Sequence, residues 1–246
     1  MKRTRIKICG LTEKQNLNMV IAAGADAVGL VFYPPSPRFV TAQQAADLLR
    51  DMPPYVTVTG LFVNPTEQEL MEVVRQVPLQ LLQFHGDETP ARCAALAAAA
   101  GLPFVKAFRV RPDTRPEDLL QSDSAFRSES RLCHGLLLDT HVEGYGGSGK
   151  VFDWSLVPKE LAPRVVLSGG LSVQNVAGAV EQLRPFAVDI SSGVERSKGM
   201  KDEQKVRAFI EQVRIADQAH DRPPRHRAPS RRPVGCGQVC CQVQLP

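Results

Sequence analysis

Hydrophobic positions along the chain fall into two alternating patterns. Short, nearly continuous apolar runs occur at Arg5 to Ile8, Ala27 to Phe32, Thr57 to Phe62, Leu79 to Phe84, Phe104 to Phe108, Gly135 to Leu138, Val165 to Leu167 and Phe186 to Ile190. Runs of this length without regular polar alternation predict parallel strands covered on both faces. Between them the apolar residues are spaced for one face of a helix, as in Leu17, Val20 and Ile21; Ala42, Ala45, Ala46 and Leu49; Leu70, Val73, Val74 and Val77; Val173, Val176, Ala177 and Val180; and Val206, Phe209, Ile210 and Val213. Asn64 before Pro65 and Glu67, and Thr89 before Pro90, read as helix N-caps followed by a first-turn proline. A fifth helix is expected within Pro116 to Arg131, and another is expected to start near Ser172 after the seventh strand.

Eight successive strand–helix pairs in about 215 residues predict an α/β protein of the closed (β/α)8, or TIM, barrel type, since an open doubly wound sheet more often stops at about five to seven strands. Chemistry in such a barrel gathers at the C-terminal ends of the strands. The positions just after or at those ends are Cys9, Arg38, Asn64, His85, Arg109, Asp139, Ser168 to Gly170, and Asp189 to Gly193.

Composition narrows the setting. The chain has 246 residues, 43% hydrophobic and 23% charged, which is that of a soluble globular protein. Only Ile8 to Leu11 is both uncharged and non-polar between the basic start and Glu13, so the apolar stretch of about 7 to 15 residues that a secretory signal needs is not expected. The longest uncharged apolar run, Cys93 to Val105, is interrupted by Gly101 and Pro103 and falls short of the roughly 18 residues of a membrane span. A cytoplasmic protein without membrane attachment is therefore expected. Cysteines are scattered at Cys9, Cys93 and Cys133 and crowded at Cys236, Cys240 and Cys241, which forms no disulfide framework and no zinc spacing, so reduced thiols and no metal are expected. Charge divides unevenly: residues 217–246 carry five Arg against two Asp, while residues 1–216 are almost neutral. The Arg- and Pro-rich segment 217–246 is expected to be a disordered tail beyond a barrel domain of residues 1–216.

Two glycine-rich stretches stand where barrels of this kind bind phosphate. One is Ser168-Gly169-Gly170-Leu171 after strand seven, and the other is Ser191-Ser192-Gly193-Val194 after strand eight. Glycine lets backbone N–H groups approach an anion, so Gly169, Gly170, Ser191, Ser192 and Gly193 are the candidate phosphate site; tight turns alone are the bland alternative. Cys9 closes the first strand and is either a small buried hydrophobe or a thiolate base. Asp139, at the end of Leu136-Leu137-Leu138, is either a loop-capping carboxylate or an acid kept protonated by partial burial. Arg38, on a loop stiffened by Pro34, Pro35 and Pro37, suits a carboxylate with its planar fork, or is a solvated surface residue. His85 either contacts substrate or is satisfied by backbone. Gly144 to Lys150 lacks the spacing of a nucleotide-binding loop, because Val151 follows Lys150, and is expected to be a mobile loop over the site.

Taken in order, Lys7-Ile8-Cys9-Gly10-Leu11-Thr12, Gly24-Ala25-Asp26-Ala27-Val28-Gly29-Leu30-Val31-Phe32, Ser36-Pro37-Arg38-Phe39-Val40, Gly60-Leu61-Phe62-Val63-Asn64, Leu82-Gln83-Phe84-His85-Gly86, Leu138-Asp139, Ser168-Gly169-Gly170-Leu171 and Asp189-Ile190-Ser191-Ser192-Gly193-Val194-Glu195 closely resemble the phosphoribosylanthranilate isomerase family. The resemblance covers about residues 5–213. It implies a cofactor-free isomerase of tryptophan biosynthesis, which converts N-(5-phosphoribosyl)anthranilate into 1-(2-carboxyphenylamino)-1-deoxyribulose 5-phosphate by an Amadori rearrangement. On that resemblance Cys9 is the general base, Asp139 the general acid, Arg38 the partner of the anthranilate carboxylate, and the glycine-rich loops the phosphate site, with His85 and Asp189 as further substrate-site candidates. The expected partner is that small-molecule substrate, with no specific nucleic acid, and the chain is expected to act as a monomer, a homodimer being the alternative. Rival readings are a phosphosugar epimerase, an indole-glycerol-phosphate synthase using Lys7 or Lys106, and a non-catalytic phosphosugar-binding barrel whose tail holds polyanions.

Overall fold

The computed structural model describes residues 3–140 and 151–221. Eight parallel strands close into a barrel in sequence order: β1 (Arg5–Cys9), β2 (Ala27–Val31), β3 (Thr57–Phe62), β4 (Leu81–Phe84), β5 (Phe104–Val110), β6 (Cys133–Thr140), β7 (Val166–Leu167) and β8 (Ala187–Ile190). Closure is made by β8 pairing with β1, with Lys7 opposite Asp189 and Ile8 opposite Ile190. Around the barrel lie α1 (Lys14–Ala23), α2 (Ala42–Leu48), α3 (Glu67–Gln76), α4 (Pro90–Ala100), α5 (Pro116–Glu129), α6 (Val176–Leu183) and α7 (Glu203–Asp221). The predicted barrel is thus the observed one. A short hairpin, β9 (Glu195–Ser197) with β10 (Met200–Lys201), is inserted between β8 and α7.

Strand alternation divides the interior in two. Ile6, Ile8, Leu30, Phe62, Leu82, Phe84, Phe104, Leu138 and Val188 belong to one continuous apolar core between the strands and the helices. The alternate positions Lys7, Thr59, Gln83 and Asp189 are also buried, but polar, and fill the barrel itself. Burying a side chain such as Leu82 or Phe104 is worth roughly 1.5–3 kcal/mol, so the strand–helix layer carries most of the stability. The polar interior is left for the site.

Four details differ from the sequence expectations. Asn64 does not cap α3; Thr66 does, accepting from Glu69 N–H at 3.2 Å while the Glu69 carboxylate accepts from Thr66 N–H at 2.7 Å. Asn64 instead adopts φ +48° and accepts from Asp87 N–H at 2.8 Å, tying the β3 and β4 loops together. The helix after β7 begins at Val176 rather than near Ser172, because Asn175 bridges Ser172 N–H and the Gly170 carbonyl and holds the intervening residues as a turn. Between β6 and β7 the described residues form two single-turn 3-10 helices, Trp154–Leu156 and Ala162–Arg164, in a segment interrupted by Pro158 and Pro163, so the described residues hold seven α-helices rather than eight. Finally, the limit expected after residue 216 falls inside α7: the Asp217 carboxylate accepts from Thr4 N–H and Thr4 Oγ1, both at 2.8 Å, and anchors the helix to the start of β1. The rest of the expected tail, residues 222–246, and the expected mobile loop Gly144 to Lys150 lie outside the described residues. No helix among the described residues is long and apolar enough to cross a membrane.

Candidate active site

A cavity of about 120 Å3 opens at the C-terminal ends of the strands. The ten residues given a role from the sequence line it, namely Cys9, Arg38, His85, Asp139, Gly169, Gly170, Asp189, Ser191, Ser192 and Gly193, whereas the strand-end positions Asn64 and Arg109 do not. The ten come from six different segments, brought together by barrel closure.

Cys9 ends β1 and is only 5% exposed. Burial pushes its thiol above the ordinary range; the Lys7 and Lys201 ammonium groups oppose that shift, and the Asp189 carboxylate adds to it. Asp139 lies at the end of β6, a quarter exposed, with Oδ2 3.1 Å from His85 Nε2. Asp189 faces the barrel interior, where its carboxylate accepts from Lys7 Nζ at 2.9 Å with both side chains buried. Burial alone would lower Lys7, but the Asp189 charge and the Cys9 sulfur outweigh it and hold the ammonium above the ordinary lysine range.

Arg38 lies on the loop between β2 and α2, as expected, but its Nε and Nη2 both donate to the Glu195 carboxylate at 2.7 Å. One edge of the fork is thus occupied from within the chain. Glu195 is shared with Lys201, whose Nζ donates to it at 2.9 Å and also to Ser191 O and Oγ. Burial would raise the Glu195 carboxyl, yet Arg38 and Lys201 hold it below the ordinary range. For Lys201 the balance goes the other way: burial outweighs Glu195 and lowers its ammonium. Lys201 was not legible from the sequence, since it lies on a two-residue strand of the hairpin. Gln83 could have been found, and Lys7 placed beside Cys9 rather than only in the rival synthase reading, because each stands two residues before a candidate on the same strand face.

The two loops after β7 and β8 are shaped by close approach. Gly169 has φ +78°, and a Cβ there would come within 2.3 Å of Thr140 N and 2.7 Å of Asp139 Oδ1. A Cβ on Gly193 would meet the Leu171 carbonyl at 2.2 Å. Both loops therefore bring bare backbone to the cavity wall, next to Asp139 on one side and Ser191 on the other. Lys106 does not line this cavity; it pairs with Glu88 at 3.1 Å and donates to the Gly86 carbonyl at 2.7 Å, on the helix side of β5. A synthase using Lys106 inside the barrel is not compatible with that position.

Fold and site together define a (β/α)8-barrel enzyme that sets a thiol, a carboxylic acid and two glycine-rich loops around one small pocket. The family profile described as "PRAI: N-(5'phosphoribosyl)anthranilate (PRA) isomerase" matches residues 6–212. The chain belongs to that family, whose members are isomerases of tryptophan biosynthesis. It is 59% identical over 217 residues to the N-(5'-phosphoribosyl)anthranilate isomerase of Herminiimonas arsenicoxydans, covering 88% of this chain and 96% of that protein. Among solved structures it is similar to the phosphoribosyl anthranilate isomerase of Thermotoga maritima, with TM-score 0.75 and 38% identity over 86% of this chain and 99% of that one. A second similar structure, with TM-score 0.72 and 35% identity over 86% of this chain and 99% of that one, is a phosphoribosyl anthranilate isomerase in complex with reduced 1-(o-carboxyphenylamino)-1-deoxyribulose 5-phosphate.

Proposed function

We propose that this chain converts N-(5'-phosphoribosyl)anthranilate to 1-(2-carboxyphenylamino)-1-deoxyribulose 5-phosphate, with Asp139 as general acid and Cys9 as general base. Asp139 protonates the ribose ring oxygen as the C1–O bond opens to a Schiff base. The Cys9 thiolate then removes the C2 proton, giving an enolamine that tautomerises to the ketone. The two proton transfers balance without a cofactor. The observation that carries this reading is that Cys9 and Asp139 line one pocket with both glycine-rich loops, so a phosphate held by Gly169, Gly170, Ser191, Ser192 and Gly193 would present its sugar to both groups.

The competent form has the proton on Asp139 and none on Cys9. Burial makes the Cys9 thiolate a minor form, and the Lys7 and Lys201 charges keep it accessible. Glu195 takes the Nε–Nη2 edge of Arg38, so the substrate carboxylate takes the Nη1–Nη2 edge of a guanidinium already held in place. Asp189 acts through Lys7, and His85 through Asp139. The reading takes the enzyme to be cytoplasmic and monomeric; sedimentation of the purified chain at twice the mass of one chain would make it a homodimer instead.

The test is fluorescence-monitored turnover of freshly generated phosphoribosylanthranilate by the native chain, Cys9→Ser and Asp139→Asn. A positioned proton transfer is worth on the order of 10²- to 10⁴-fold, so each variant should lose that much kcat with its circular dichroism unchanged. Turnover within threefold of native in either variant, as an order-of-magnitude threshold, would remove that residue from its role.

A further inference from the structure

The barrel interior contains a chain of hydrogen bonds that runs from the cation beside Cys9 to the carboxyl of Asp139. Lys7 Nζ lies 3.0 Å from Gln83 Oε1, the other end of the Gln83 amide lies 2.9 Å from His85 Nδ1, and His85 Nε2 lies 3.1 Å from Asp139 Oδ2. Each link fixes the next. An ammonium can only donate, so the amide atom facing Lys7 is the oxygen. The amide nitrogen then faces His85, and because it too can only donate, His85 Nδ1 must offer a lone pair. A neutral imidazole with a bare Nδ1 carries its proton on Nε2, which donates to Asp139 Oδ2.

We infer that Lys7 and Gln83 are positioning residues for the acid end of the reaction, holding His85 as the neutral Nε2–H tautomer so that it orients Asp139 without becoming its counter-ion. The inference rests on the reading of Asp139 as general acid. An imidazolium at His85 would set an Nδ1–H against the amide N–H2 of the buried Gln83, donor against donor, with the amide oxygen already taken by Lys7. It would also form an ion pair with Asp139 and hold the carboxylate ionised, removing the acid. The neutral tautomer does neither. With Oδ2 accepting from His85, the transferable proton belongs on Oδ1, the oxygen beside the Gly169 backbone at the cavity wall. The groups that bear on His85 are Gln83 from its own strand, Asp139 from β6, and the Lys7–Asp189 pair from β1 and β8.

Ring-nitrogen NMR of the full chain labelled with 15N-histidine tests this, with the His85 signals among the five histidines identified by their loss in His85→Gln. Native protein at neutral pH should show an unprotonated Nδ1 and a protonated Nε2. Gln83→Glu replaces the donor by an acceptor of the same shape, so His85 should take a proton on Nδ1, and kcat should fall about tenfold or more with KM nearly held. His85→Gln, which offers an uncharged N–H near the former Nε2, should keep most of the turnover that His85→Leu loses. An Nδ1–H tautomer or an imidazolium in the native spectrum would overturn the proposal, and so would a Gln83→Glu protein with native kcat. If Gln83→Glu does not fold, the native spectrum and the His85→Gln and His85→Leu pair still decide. The spectrum does not depend on turnover, so a native chain with the expected tautomer but no isomerase activity would count against the proposed reaction and not against the hydrogen-bond chain.

Discussion

Replacing Lys7 by methionine keeps the length of the side chain and removes the cation from the middle of the barrel. The Asp189 carboxylate, 6% exposed and bonded to Nζ at 2.9 Å, is left buried without its partner, and the Gln83 amide oxygen loses its donor as well. Removing one member of a buried ion pair costs about 3–5 kcal/mol, because the remaining charge keeps its desolvation penalty. For a chain of this size, roughly 2–4 °C of melting temperature accompanies each kcal/mol, so Tm should fall by about 6–20 °C. The ammonium is held above the ordinary lysine value of 10.5, so its contribution is fully present below that pH and is lost only as pH rises through the folded-state value. Guanidinium unfolding at neutral pH, followed by circular dichroism, therefore reads the whole effect. Removing both charges, as Lys7→Met with Asp189→Leu, should recover most of the loss, since an apolar pair of similar volume is often neutral or stabilising. Activity should not recover with it, because the Lys7 ammonium that orients the Gln83 amide toward His85 and Asp139 is gone from both variants. A single variant within about 1 kcal/mol of native would refute the argument, since a loss that small is typical of a solvated pair.

Alkylation of Cys9 by iodoacetamide, followed by peptide mass spectrometry, should accelerate with pH and reach half its maximal rate above the ordinary thiol value of 9.0, because burial disfavours the thiolate; a midpoint below that value would contradict it. Gly193→Ala should raise KM for the phosphorylated substrate and lower stability, because the added methyl meets the Leu171 carbonyl; unchanged steady-state kinetics would show that the loop does not hold phosphate. Asp26 is kept below the ordinary carboxylate value of 3.8, with burial opposing and the Arg3 guanidinium and Ile6 N–H prevailing. Its contribution is present above the unfolded-state value and lost as pH falls through the lowered folded-state one, so the stability gap between native and Asp26→Asn should close in strong acid; a gap independent of pH would refute the assignment.

The alternation of buried strands and amphipathic helices was legible because each element is set by local periodicity, and eight such strands have few ways to close. The ends of those strands then pointed to Cys9, His85, Asp139 and the two glycine-rich loops, since in a parallel barrel every strand delivers its last residue to the same rim. Helix starts were less legible. Thr66 rather than Asn64 caps α3, because Asn64 is drawn to the neighbouring loop by Asp87 N–H, and that neighbour is 23 residues away in sequence.

What the sequence could not decide is which side chains pair once the barrel is closed. Lys7 and Asp189 are 182 residues apart and meet only because β8 returns to β1 in that register. The spacing leaves Arg38 either a fork for a carboxylate or a solvated surface residue, and the structure commits one edge of it to Glu195, 157 residues away. The line from Lys7 through Gln83 and His85 to Asp139 crosses three strands and exists only in the assembled interior. Periodicity is a property of neighbours along the chain, so it fixed the elements and the rim. Charge pairing and tautomer are set by distance through space and by exclusion of water, and those belong to the tertiary structure.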